Sequence, residues 1–151
     1  EENKGFYAIM DNFQNERLVL AGSSIGSSMK ALEVTLDHVR TRQAFGGTLW
    51  DLQATRQKLA MLATKVASAR ALTYMAAELE AQGVDCVREI SMAKVLACEI
   101  NVEVVNACLQ LHGGSGFMRG MAIERMTRDA RIQTIGGGAT EVMLEEVGKR
   151  I

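Results

Sequence analysis

The fold is indicated most clearly by residues 85–111, DCVREISMAKVLACEINVEVVNACLQL. Apolar side chains recur there every three or four residues, the spacing of one helix face, at Ile90, Ala93, Ala97, Ile100, Val104 and Ala107. Residues 6–41 and 49–82 repeat this pattern, and the chain contains no proline that would break a helix. We therefore expect three helices of about 27 to 36 residues.

Glycines mark the ends of these stretches. Gly46 and Gly47 follow the first, Gly83 follows the second, and a cluster beginning at Gly113 follows the third. Glycine is the residue that most readily adopts the left-handed backbone found where helices end. Two shorter helices are expected over residues 121–133 and 140–151. A length of 151 residues and short connections predict one all-α domain, an antiparallel four-helix bundle with a short additional C-terminal helix.

Composition excludes several classes of function. The net charge is −1, which argues against a nucleic-acid binder. No stretch of about 18 apolar residues occurs, so no membrane span is predicted. Three cysteines without CxxC spacing predict a reduced intracellular protein with no disulfide framework or zinc site, and two histidines are too few for a His-rich metal site. The first residues lack an initiator methionine and a signal peptide, so we expect the chain to be part of a longer protein.

Three segments could carry chemistry. The glycine-rich segment around Gly137 precedes a helix, and it could hold an anion or cofactor or could simply be a turn that needs positive φ. Glu16-Arg17 lies at the edge of an apolar helical run, where the carboxylate could be a base or half of a structural ion pair. Arg40 and Arg42 at a helix C-terminus could interact with the helix dipole or hold a phosphate. His112 lacks a catalytic partner, so a local hydrogen-bonding role is expected for it.

Five short motifs also occur in order across nearly the whole chain. They are Asn15-Glu16-Arg17-Leu18-Val19-Leu20-Ala21-Gly22; Arg42-Gln43-Ala44-Phe45-Gly46 followed by Leu52-Gln53; Gln110-Leu111-His112-Gly113-Gly114-Ser115-Gly116-Phe117; Arg128-Asp129-Ala130-Arg131; and Gly137-Gly138-Ala139-Thr140-Glu141-Val142. Each motif is weak alone, but the ordered set resembles the C-terminal helical domain of acyl-CoA dehydrogenases. The resemblance implies a three-domain flavoenzyme whose N-terminal helical and middle β domains are not part of these 151 residues.

That family removes hydrogen from the α and β carbons of an acyl-CoA thioester. The resemblance implies FAD as cofactor, an acyl-CoA substrate, an electron-transfer flavoprotein as partner and a homo-oligomer, either a dimer or a tetramer. It also implies an intracellular location, in the bacterial cytoplasm or the mitochondrial matrix. The 151 residues alone are expected to be inactive, because the β domain that cradles the flavin ring is not among them.

The resemblance also predicts the catalytic base. Many family members carry a glutamate in the closing loop, but the matching residue here is Gly137. Long-chain and isovaleryl-type members place the glutamate on the first helix of this domain, where this chain has Glu16. Glu16 is therefore the predicted base, and the backbone N–H of Gly137 is predicted to polarise the thioester carbonyl.

Further residues match cofactor and substrate positions of the family. Arg42 resembles the arginine that reaches the FAD pyrophosphate of a neighbouring subunit. The remaining cofactor positions are Phe45, Gln53, Gln110, Gly114 and Thr140. Arg17 and Gly136 match substrate positions. Gly136 replaces a common aromatic residue, which predicts a roomier acyl pocket, and Ala139 shifts the loop hydroxyl to Thr140.

Two alternatives stay open, another flavoenzyme that shares the fold and a module without catalytic activity. An acyl-CoA oxidase would also keep the base, whereas a flavin-dependent monooxygenase of this fold needs none. A catalytically silent helical oligomerisation module would use Arg42 and the glycine loop for packing alone.

Overall fold

The computed structural model describes residues 4–151, apart from the side chains at positions 7, 8, 10 and 11. Within this part of the chain the helices are α1 (Gly5–Thr41), α2 (Gln53–Ala81), α3 (Val87–His112), α4 (Gly114–Phe117), α5 (Ala122–Gln133) and α6 (Thr140–Gly148). Two strands of two residues each, β1 (Gln43–Ala44) and β2 (Gly47–Thr48), form a small hairpin between α1 and α2. The predicted all-α class is confirmed.

Helix α3 is the centre of the bundle. It packs against α1, α2 and α5, which complete the four-helix arrangement, and α6 is the additional helix packed on α3. The ring of His38 near the end of α1 stacks on that of His112 at the end of α3, so these two helices run in the same direction. α2 therefore runs antiparallel to both, as expected for helices joined by short connections.

The predicted apolar faces form the core. They contribute Ile25, Leu32 and Val39 from α1, Leu59, Leu62, Val66 and Ala69 from α2, and Ala97, Ile100 and Val104 from α3. Phe6 is an exception, because 67% of its surface is exposed although the spacing places it on the predicted face. Met10, on the same predicted face, has a side chain outside the described part of the structure. Burial of one face of each long helix is the main stabilising contribution to this domain.

The predicted second helix begins four residues later than expected. Phe45 (φ 56°) and Gly46 (φ 86°) both lie in the left-handed region, which makes the two-residue connection of the hairpin a type I′ turn. A 3₁₀ turn at Leu49–Asp51 follows, and α2 starts at Gln53. Asp51 secures this segment by accepting hydrogen bonds from the Thr48 backbone N–H at 2.7 Å and from its hydroxyl at 2.8 Å.

None of the helices in the described range is both long and apolar enough to cross a bilayer. The same residues contain no group of three or more potential metal ligands.

Candidate active site

An open apolar groove of about 450 Å³ lies between α1 and the loop that joins α5 to α6. Its walls come from four residues of α1 and two of the loop: Asn15, Glu16, Val19, Leu20, Gly136 and Gly137. Residues 16, 19 and 20 share a helix face because positions three and four apart are neighbours on an α-helix. The groove therefore brings together the predicted base, the glycine predicted to polarise the thioester and one predicted substrate residue.

The Glu16 carboxylate is exposed on the groove. Its Oε1 accepts a hydrogen bond of 2.8 Å from the Asn12 side-chain amide, one helical turn earlier. Among the described residues the other carboxylate oxygen has no hydrogen bond, so it can accept a proton from a molecule in the groove.

Backbone hydrogen bonds close the loop opposite Glu16. The Gly136 N–H donates to the Ile132 carbonyl at 2.8 Å, and the Thr140 N–H donates to the Thr134 carbonyl at 3.1 Å. Between these bonds Gly137 has φ 69° and Gly138 has φ 120°, both in the left-handed region. The Gly137 N–H has no acceptor within hydrogen-bond distance among the described residues. It is thus a free donor on the wall of the groove.

Glycine at position 137 is favoured both by its positive φ and by its surroundings. A Cβ built on Gly137 would lie 2.5 Å from Leu20 Cδ1, well inside van der Waals contact. The same groove that exposes Glu16 therefore leaves no room for a side chain at position 137 unless Leu20 moves.

Arg17, a predicted substrate residue, contacts the loop instead of lining the groove. Its Nε donates to the Gly137 carbonyl at 3.1 Å, and its guanidinium lies 5.9 Å from the Phe13 ring centre. Burial lowers the pKa of Arg17, and the Glu146 carboxylate opposes this effect. The predicted role of Arg17 at the substrate mouth stays a prediction.

Thr140 is likewise engaged within the protein. Its hydroxyl donates to Glu99 Oε1 at 2.6 Å, and the N-cap of α6 is Ala139. A hydroxyl oxygen has two lone pairs, so Thr140 can still accept one bond from a ligand.

Lys94 is a residue of this region that the sequence analysis missed. The side chain is fully buried in the middle of α3, and its Nζ donates to the Gly138 carbonyl at 2.6 Å. Burial lowers the pKa of Lys94, and the Arg17 charge acts in the same direction, while Cys98 and Glu99 oppose it. A signal was present in the sequence, because Lys94 lies at helical spacing from the apolar residues Ile90 and Ala97.

Five of the six predicted cofactor residues, all except Thr140, lie at the opposite end of the bundle. Arg42 and Phe45 belong to the segment that leaves α1, Gln53 begins α2, and Gln110 and Gly114 lie at the end of α3 and just beyond it. All five are exposed, and Phe45 is 87% exposed although it occupies the left-handed region. A bulky residue held in that conformation at the surface is often part of a functional site.

A buried contact joins the two helix ends that carry these residues. The His112 ring stacks on His38 with 4.2 Å between ring centres, and its Nε2 lies 3.3 Å from the Thr35 hydroxyl. The local hydrogen-bonding role expected for His112 is therefore confirmed. Burial, with a smaller contribution from His38, lowers the pKa of His112 to about 4.

The predicted base and the predicted pyrophosphate arginine are far apart along α1. Glu16 and Thr41, the last helical residue before Arg42, are separated by 25 residues, which at a rise of 1.5 Å per residue corresponds to roughly 38 Å. A single flavin dinucleotide cannot contact both places on one chain.

A second apolar groove lies away from both groups. It has a volume of about 650 Å³ between α1 and α2 and is lined by apolar side chains such as Met29, Leu36, Val66 and Tyr74. None of the predicted site residues lines it.

Comparison with known proteins gives consistent matches over the whole length of the chain. A family model described as acyl-CoA dehydrogenase, C-terminal domain, matches residues 3–151. The mitochondrial long-chain specific acyl-CoA dehydrogenase of Rattus norvegicus is 40% identical over 152 residues, which is 100% of this chain and 35% of the rat protein.

Two further matches add a complex subunit and a solved structure. The caffeyl-CoA reductase-Etf complex subunit CarC of Acetobacterium woodii is 38% identical over 94% of this chain and 38% of its own. The crystal structure of a probable acyl-CoA dehydrogenase from Mycobacterium abscessus superposes with a TM-score of 0.97 at 41% identity, covering 99% of this chain and 40% of that one. The chain thus spans about two-fifths or less of the length of these relatives.

Proposed function

The chain belongs to the acyl-CoA dehydrogenase family, whose C-terminal domain it matches, and we propose that it is the C-terminal domain of an FAD-dependent acyl-CoA dehydrogenase. The proposed reaction is α,β-dehydrogenation of an acyl-CoA thioester by the whole protein. One observation carries the proposal: the exposed carboxylate of Glu16 and the backbone N–H of Gly137, a donor without an acceptor in the described part of the chain, line the same apolar groove.

Glu16 is the proposed α-proton base. An acyl thioester in the groove would present its α carbon to the carboxylate and its carbonyl oxygen to the Gly137 N–H. A hydrogen bond to that oxygen stabilises the negative charge that develops there as the proton leaves, which makes the α proton more acidic. The apolar side chains of Val19 and Leu20 line the groove and would contact the acyl chain.

FAD, when bound, accepts the hydride from the β carbon, so the thioester loses one proton and one hydride. The residues at the far end of the bundle fit the other part of such a cofactor. Arg42 supplies an exposed guanidinium suited to a pyrophosphate, and Phe45 supplies an exposed aromatic face. Gln53 and Gln110 supply amides, and Gly114 has no side chain that would keep the backbone from the ligand. The Thr140 oxygen retains a lone pair for a flavin contact near the groove.

The separation of roughly 38 Å along α1 supports a homo-oligomer. Arg42 and its neighbours would contact the FAD whose flavin ring serves the groove of a second copy. A dimer satisfies this arrangement, and a tetramer built from two dimers satisfies it as well.

The remaining assignments rest on the structure for the two substrate residues and on the relatives for partner and location. The small residue Gly136 leaves space for the acyl chain in the groove, and Arg17 holds the loop beside it. The CarC relative is named as a subunit of an Etf complex, which supports an electron-transfer flavoprotein as electron acceptor. Named relatives are mitochondrial or bacterial, and we propose a location in the mitochondrial matrix or the bacterial cytoplasm.

The proposal is tested by adding butyryl-, octanoyl- and palmitoyl-CoA to the FAD-loaded full-length protein and following the flavin absorbance without oxygen. At least one thioester should bleach the flavin, and Glu16→Gln should slow bleaching by roughly a hundredfold or more, because it removes the base. Glu33→Gln is the matched control, an exposed glutamate of the same helix paired with Lys30. Bleaching at the unchanged rate in Glu16→Gln would refute the assignment of the base.

A further inference from the structure

Lys94 combines two features that are rarely found together. It is the largest fully buried side chain of the described chain, and no carboxylate lies within ion-pair distance of its Nζ among the described residues. Placing an ammonium group in a protein interior is costly unless hydrogen bonds compensate. The compensation observed here is the bond of 2.6 Å to the carbonyl of Gly138.

A second cation binds the preceding carbonyl of the same loop. Arg17 Nε donates to the Gly137 carbonyl at 3.1 Å, so two successive peptide groups each accept a bond from a positively charged side chain. Such charge-assisted bonds are about twice as strong as neutral ones. The two cations come from different helices, Arg17 from α1 and Lys94 from α3, and together they fasten the loop to both.

The loop needs this attachment because its own backbone restrains it weakly. Gly137 and Gly138 are consecutive glycines, the residue type with the greatest conformational freedom. The peptide group is planar, so fixing a carbonyl also fixes the N–H of the next residue. The Gly137 N–H belongs to the peptide group between Gly136 and Gly137. The peptide group before it is held by the bond from the Gly136 N–H to Ile132, and the peptide group after it is held by the bond from Arg17 to the Gly137 carbonyl. The Lys94 bond holds the following plane.

We propose that Lys94 is a positioning residue that, through the Gly138 carbonyl, keeps the Gly137 N–H directed into the groove opposite Glu16. This inference rests on the proposed function for its catalytic consequence, since the oriented donor is the one that would polarise the thioester. The role is separate from that of the base, because Lys94 is buried and does not line the groove.

The first test measures the loop itself. In the FAD-loaded full-length protein, amide hydrogen exchange is compared between the parent and Lys94→Met, which keeps the length of the side chain without its charge. Exchange in residues 134–140 should become roughly tenfold faster, as expected for loss of a charge-assisted bond, while the α3 peptides keep their protection. Lys65→Met is the matched control, a partly exposed lysine paired with Glu103 on α3. If Lys94→Met does not fold, Lys94→Gln is used, with a smaller expected change in the same direction.

The second test measures catalysis. Lys94→Met should lower the rate constant of flavin reduction by the thioester that bleaches the parent, by roughly tenfold to a hundredfold, with thioester affinity nearly unchanged. A purely structural role would instead lower thermal stability and thioester affinity without a selective effect on the rate constant.

The outcomes separate the two proposals. Unchanged exchange in residues 134–140, or faster exchange spread over α3, overturns the inference whatever the parent does with acyl-CoA. Faster loop exchange with an unchanged rate of flavin reduction also overturns it. Faster loop exchange in a protein whose parent bleaches with none of the three thioesters supports the loop-holding role of Lys94 and refutes the proposed function.

Discussion

His112 should make the stability of the bundle fall between neutral and mildly acidic pH. Its side chain is 7% exposed, and its Nδ1 has no hydrogen-bond partner among the described residues. A proton added to the folded protein would therefore place a charge in a buried stack against His38. Burial, ahead of the charge on His38, accordingly lowers the pKa of His112 from 6.5 to about 4.

The sign and size of the effect follow from linkage between protonation and folding. Above pH 6.5 neither the folded nor the unfolded state carries the proton, so the contribution of neutral His112 is complete. As the pH falls below 6.5 the unfolded state binds the proton first, and stability decreases until the folded state is also protonated near pH 4. Lowering the His112 pKa by this amount corresponds to about 3 kcal/mol in the free energy of unfolding, of which about 2 kcal/mol is lost by pH 5.

The assay is urea unfolding at pH 7 and pH 5, followed by circular dichroism, for the wild-type chain and His112→Leu. Leucine has a similar volume and does not titrate. The wild type should lose about 2 kcal/mol more than the variant over this interval. The other of the two histidines, His38, also has a lowered pKa, because of burial and then the charge on Arg42. Its smaller contribution to the pH dependence of stability therefore has the same sign. Equal losses in the two proteins would refute the claim that His112 is buried in its neutral form.

Two further predictions concern the two ends of the bundle. Gly137→Ala should lower the free energy of unfolding, measured by chemical denaturation, by about 2–4 kcal/mol, because alanine is strained at positive φ and its Cβ contacts Leu20. Adding Leu20→Ala should remove the contact and leave the backbone strain. Gly22→Ala, in an open position of α1, should be neutral or stabilising, and an equal loss there would contradict the argument. Arg42→Gln should weaken FAD binding to the full-length protein by roughly tenfold to a hundredfold in fluorescence titration, whereas Arg70→Gln, stacked on Tyr74, should not. Equal affinities for the two arginine variants would exclude Arg42 from the cofactor site.

The long helices were predictable because their apolar spacing is a local property. Helix α3 was expected over residues 85–111 and occurs at Val87–His112, and the stripe of Ile90, Ala97 and Val104 is buried. The hairpin was not predicted, because strands of two residues carry too short a pattern to recognise. Its turn also places Phe45 in a backbone region that phenylalanine rarely adopts.

The groove was predictable in part. Glu16, Gly136 and Gly137 were selected from a resemblance, and the fold brings them to one cavity although 119 residues lie between Glu16 and Gly136. Lys94 was missed because a lysine in a helix is usually solvated, and only long-range packing decides otherwise. Its acceptor is a backbone carbonyl on another element, and a carbonyl leaves no signature in the amino-acid sequence.

The close approach of Leu20 to Gly137 restricts how the proposed catalytic base could change its position during evolution. A glutamate introduced at position 137 while Leu20 remains would collide with the leucine methyl and carry a side chain on left-handed backbone. Moving the base from the helix to the loop is therefore easier in one order of substitutions. Residue 20 becomes smaller first, a glutamate then appears at position 137, and Glu16 is lost last. In the opposite order, an intermediate protein either has a glutamate at position 137 that collides with Leu20 or has no base at either position. The pair at positions 20 and 137 should consequently change together among relatives, with a bulky residue at one accompanied by glycine at the other.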